Sequence, residues 1–112
     1  MGLSRLYTGA DGESHIEDLK PEDHSELRQL QGVAGIRLQE FPAKQFLDWH
    51  PAPRRQWVII VSGELEIGLG DGTSRRFGPG DARLVEDTTG RGHTTRTLGE
   101  GPCFTMVVPL AG

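Results

Sequence analysis

Residues 57 to 72 read WVIIVSGELEIGLGDG, and they hold two different kinds of strand separated by a bend. Trp57–Val61 is an unbroken apolar run, the mark of a strand covered on both faces or set in a barrel wall. Ser62-Gly63 bends the chain. Glu64–Leu69 then alternates, with Leu65, Ile67 and Leu69 on one side and Glu64, Glu66 and Gly68 on the other. Asp71-Gly72 is a strong two-residue hairpin signal, and Thr73–Phe77 makes the return strand. The period throughout is two, which is the period of a strand and not of a helix.

The same grammar continues in both directions. Downstream, Gly78-Pro79-Gly80-Asp81 is a tight turn leading into a short strand at Ala82–Val85. A polar, glycine-bearing loop follows at Glu86–Gly92, then a threonine-rich strand at His93–Leu98. Gly99–Pro102 turns again before the apolar strand Cys103–Leu110. Upstream, Pro51-Ala52-Pro53 lacks two backbone donors and must be a turn or an exposed link. Lys44–His50 reads as a strand, as does Ile36–Phe41, which Pro42 ends.

Residues 1–32 are polar and broken by Gly9, Gly12, Pro21 and Gly32. Ser14–Leu19 is a candidate edge strand, and Pro21–Leu30 a candidate for one or two helical turns with Pro21 at the first position. The expectation is a single all-β domain of eight to ten short strands, a small barrel or jelly roll. It would have an irregular N-terminal arm and edge strand over 1–35 and a barrel over 36–112.

Composition agrees. The chain has 112 residues with 16 Gly and 7 Pro, and 35% of it is hydrophobic, which suits short strands and tight turns. Its net charge of −4 argues against a nucleic-acid partner. The single cysteine, Cys103, rules out an intrachain disulfide and reads as a buried, inert thiol. Met1–Tyr7 shows no signal-peptide pattern and no apolar run has membrane-span length. The expectation is a cytoplasmic protein with no membrane partner.

Taken together, the residues resemble the cupin superfamily. The order is apolar strand, Ser62-Gly63-Glu64, alternating strand, Asp71-Gly72, Phe77-Gly78-Pro79-Gly80-Asp81 and a later Gly90-x-x-His93. That resemblance covers about Phe41 to Leu110. It implies a double-stranded β-helix, frequently a homodimer, with a small-molecule pocket at one mouth. The first cupin motif places two histidines and a glutamate ahead of a glycine. Counted back from Gly63, the glutamate position holds Gln56, the first histidine is His50 and the second is Ala52. In the second motif Thr88 stands for proline, His93 is the histidine and Thr97 takes the asparagine position.

The resemblance thus implies a metal set of His50, Gln56 and His93 for a divalent transition ion such as Mn, Fe, Ni, Cu or Zn. Two of the four usual ligands are kept. Glu86, or alternatively Asp87, would act beside His93 as general acid or base. Trp49, Arg54 and Thr95 are the candidate substrate contacts, Arg54 because a guanidinium matches a carboxylate or phosphate. His15 and His24 read as surface residues, and Trp57 as packing. Two functions remain open: a metal-dependent enzyme (isomerase, lyase or oxygenase) on a small polar or anionic metabolite, or a metal-free cupin that binds or senses one.

Overall fold

The computed structural model describes residues 2–111; the end residues Met1 and Gly112 of the expected domain lie outside them. Ten strands form two facing sheets. They are β1 (Leu3–Thr8), β2 (Ser14–Asp18), β3 (Arg37–Phe41), β4 (Phe46–His50) and β5 (Gln56–Ser62), followed by β6 (Glu64–Gly68), β7 (Ser74–Phe77), β8 (Ala82–Glu86), β9 (His93–Leu98) and β10 (Cys103–Pro109). The larger sheet runs β2-β1-β8-β5-β10-β3 and the smaller β4-β9-β6-β7. This is the all-β architecture expected from the turn spacing, in the double-stranded β-helix form that the resemblance implied. Among the described residues no helix is long and apolar enough to cross a membrane.

The core lies between the sheets. Leu65 and Ile67 of β6, Phe77 of β7, Val58 and Ile60 of β5, and Leu6 of β1 are all buried. Each such side chain contributes about 1.5–3 kcal/mol by leaving water. The β6–β7 hairpin pairs Gly68 with Ser74 across the Asp71-Gly72 turn, and Gly72 takes a φ of 87° there. Gly63 bends the chain with a φ of 81°; a side chain there would strike the Pro102 carbonyl and the Cys103 backbone.

One expectation changes. Residues 3–8 are not part of a loose arm: β1 sits inside the large sheet, parallel to β8, with Leu6 opposite Val85. Leu6 is fully buried there, so a strand that looks polar on average still supplies core. β2 does form the edge, and Pro21–Asp23 and Ser25–Arg28 are the two short helical turns, both 3₁₀, with Pro21 opening the first. In β3 the apolar Leu38 points out and is 61% exposed. Its alternate residues Arg37, Gln39 and Phe41 face inward instead.

The pairing explains why. Arg37 lies opposite Val107, Val107 opposite Val58 and Val58 opposite Arg83. These four residues form one cross-strand row on the inner face of the large sheet. The row beside it, Leu38, Met106, Ile59 and Ala82, faces outward. In a pleated sheet adjacent rows point to opposite faces, so burying Val58 and Val107 commits both arginines to the inside.

Candidate functional site at the barrel mouth

Between the two sheets lies a cavity of about 220 Å³. One wall is the inner row just described, with Arg37 at one end and Arg83 at the other. The facing wall comes from β4 and β9, which supply His50, His93 and Thr95, and Gln56 opens β5 at the rim.

A β-bulge places His50. Leu47 pairs with Thr95 and His50 with His93, so three steps on β4 match two on β9. Strict alternation from Leu47 would have turned Trp49 inward; the extra residue turns His50 inward in its place. Gly92 lets the neighbouring strand come close. Its φ is 80°, and a side chain there would run into the His50 carbonyl. The imidazoles of His50 and His93 consequently sit 4.6 Å apart, centroid to centroid.

The hydrogen bonds fix both rings. His93 Nδ1 lies 2.5 Å from Asp87 Oδ2, and Ser14 Oγ donates to the same oxygen at 2.7 Å. His50 Nδ1 lies 2.7 Å from the Asp48 carbonyl. A carboxylate and a carbonyl only accept, so each Nδ1 carries the proton and each Nε2 offers a bare lone pair in the neutral ring. Asp87 is fully buried behind His93, and its second oxygen, Oδ1, has no partner.

Arg83 is the other unusual group. It is 4% exposed, and its Nε and Nη1 have no hydrogen-bond partner. Burial lowers its pKa to about 10, with the nearby carboxylates of Asp87 and Asp81 opposing that fall; it remains a cation at neutral pH. It also stacks over Phe77 at 4.7 Å. Cys103 is buried, and burial pushes its thiol up despite the nearby Arg83, so it stays protonated and inert.

The cavity therefore gathers His50, Gln56, His93 and Thr95 of the candidates read from sequence. It does not gather the others. Glu86 points to the opposite face of β8, where Arg5 Nε at 2.5 Å and Arg55 Nε at 2.6 Å hold it; Asp87, one residue on, is the carboxylate beside His93. Trp49 lies outside under the guanidinium of Arg91, 4.2 Å from its ring centroid. Arg54 is exposed on the loop before β5 and is not part of the cavity wall, whose cations are Arg37 and Arg83. Strand parity was the signal for Arg83, which is two residues from the apolar Val85 and on the same face. His15 pairs with Asp11 and His24 with Glu26, both at the surface.

The donor set does not fit a tightly held divalent ion. Among the described residues no three His, Cys, Asp or Glu side chains cluster to hold one. Two imidazoles and the neutral amide of Gln56 supply no anionic ligand, where such sites ordinarily combine histidine with carboxylate or thiolate. The same wall carries a buried guanidinium, which repels a dication in a low-dielectric setting.

No family model and no curated protein matches the chain, but solved structures do. The polyketide cyclase RemF from Streptomyces resistomycificus superposes with a TM-score of 0.58 at 19% identity, over 95% of this chain and 70% of that one. A sugar phosphate isomerase from a cupin superfamily, from Silicibacter pomeroyi, gives 0.55 at 18% identity, over 91% and 61%. The DMSP lyase DddQ from Ruegeria pomeroyi gives 0.55 at 26% identity, over 68% of this chain. The chain spans only 37% of that lyase.

Proposed function

The chain has the cupin-superfamily fold, and on that premise we propose that it is a proton-transfer enzyme acting on a small polar or anionic metabolite in the barrel mouth. The buried 2.5 Å contact between His93 and Asp87 at the cavity wall carries this reading. His93 Nε2 takes a proton from a carbon next to a carbonyl or carboxylate; the C–H electron pair becomes the C=C bond of an enolate. Asp87 holds the ring in the required tautomer and stabilises the imidazolium that forms. Returning the proton to another position is isomerisation, and loss of a leaving group from the adjacent carbon is a lyase reaction. Oxygenase chemistry needs the metal that the donor set does not suit.

The test is carbon–hydrogen exchange in D2O, read by proton NMR over a panel of C3–C6 oxo and hydroxy acids. The wild type exchanges at least one acid and His93→Gln loses this by about 10²–10⁴-fold. Exchange unchanged in His93→Gln sinks the proposal. So does activity that disappears with a stoichiometric divalent metal and returns when the metal does. Acids that bind without exchanging would instead leave a ligand-binding or sensing cupin.

We also propose a homodimer formed through the outer face of the large sheet. Leu38 and Val61 there are 61% and 51% exposed, and Ile59, Met106 and Val108 lie in the same apolar surface. Sedimentation equilibrium tests this: a monomer at tens of micromolar overturns it.

A further inference from the structure

Arg83 is the least satisfied group in the cavity wall. A buried cation is costly unless an anion meets it, yet no hydrogen bond reaches its Nε or Nη1. Asp87 is near enough to attract it, but no hydrogen bond joins the two: Oδ2 is held by Ser14 and His93, and Oδ1 accepts none. Asp81, at the start of β8, accepts from the Gly78 amide and lines a different, smaller cleft.

The charges limit what can complete the site. Two guanidinium groups, Arg37 and Arg83, stand against one carboxylate, Asp87, and the wall is left with one positive charge when both histidines are neutral. A monoanion balances it; a phosphate monoester, near −2, would bury an excess negative charge. Val58 and Val85 beside Arg83, Phe41 farther along the same sheet and Leu47 on the facing one give the cavity an apolar stretch, among the polar Gln39, Gln56 and Thr95. A dry cavity of ~150 Å³ holds a benzene molecule, so about 220 Å³ suits a ligand of roughly six to ten non-hydrogen atoms.

We infer that the cavity binds a small monocarboxylate, its carboxylate on Arg83 and its short apolar body on Val58 and Val85, with the carbon next to the carboxylate facing His93. This assignment rests on the cavity being the substrate site, and it names the substrate class that His93 would serve. Arg37, exposed at the opposite end of the row, closes over the ligand's far side and contributes less.

Calorimetric titration of the full chain with acetate, butanoate, benzoate, benzamide and phenyl phosphate tests it. At least one of the three carboxylates binds, and benzoate binds roughly 30-fold more tightly than the isosteric benzamide, the scale of a charge-assisted hydrogen bond. Phenyl phosphate binds more weakly than benzoate. Arg83→Gln weakens the carboxylate by a similar factor, and Arg37→Gln, at an exposed position, by about threefold. The inference fails if no carboxylate binds below ~10 mM, if benzamide matches benzoate, if phenyl phosphate is preferred, or if folded Arg83→Gln binds as the wild type does. Carboxylate binding with no hydrogen exchange on any of the oxo and hydroxy acids would sink the catalytic proposal and keep this one; His93-dependent exchange on a neutral substrate would do the reverse.

Discussion

The two faces of the large sheet, where β3, β10, β5 and β8 run side by side, invert the usual arrangement of a globular protein. The inner row ends in Arg37 and Arg83, while the outer row runs Leu38, Met106, Ile59 and Ala82. Arginines thus flank the buried Val58 and Val107 inside, while apolar Leu38 lies exposed outside. An exposed apolar patch and a buried unpaired cation are the two informative departures from ordinary burial.

Substitutions at neighbouring residues separate the two faces. Ile60→Asp puts an unpaired charge into the core and costs roughly 4 kcal/mol, read as a large fall in the urea midpoint. Ile59→Asp, one residue along and outward, leaves the fold in place. If the two variants are equally unstable, the division of faces is wrong.

Leu38→Asp, also outward, converts dimer to monomer in sedimentation while the circular dichroism spectrum stays the same. A dimer that persists in both outward variants would place the apolar row in contact with something other than a second copy.

A smaller effect comes from Glu86, which ties β1 to β5 on the outer side. Burial alone would raise its pKa, but hydrogen bonds from Arg5 and Arg55 outweigh that and hold it below the usual carboxylate range. A lowered folded-state pKa contributes stability above the unfolded value, near 4.3, and that contribution is lost as pH falls through the folded value. The stability gap between wild type and Glu86→Gln, about 1 kcal/mol or less, is therefore constant from pH 7 to 5 and closes below about pH 4. A gap that widens on acidification contradicts the clamp. Least of all is Arg54→Ala, which changes carboxylate affinity by less than about twofold; a tenfold loss would return Arg54 to the site.

Most of the strand order was legible from the sequence because tight turns and period-two alternation are local. Asp71-Gly72, Gly63 and Pro42 each act within a few residues. The site was legible only in part. His50, Gln56 and His93 fall on motif positions, but which side chain faces inward at Trp49-His50 depends on a bulge set by pairing with β9. Glu86 against Asp87 is a question of where β8 ends, a one-residue difference that exchanges faces. Leu38 and Arg37 were harder still. The apolar residue of the pair is ordinarily the inner one, and only its register against Val107 shows that here it is not.

The parallel pairing of β1 with β8 has a consequence for biosynthesis. Arg5 and Glu86 are 81 residues apart in the chain, and Ser14, which braces Asp87, is 73 residues from it. On the ribosome, β1 and β2 emerge before the rest of this domain and can pair with each other, but β1 has no β8 to join until most of the domain has been made. The bracing of Asp87 by Ser14 is thus among the last features assembled, and the β1 edge that takes β8 must stay open until then. Such long-range closure slows folding.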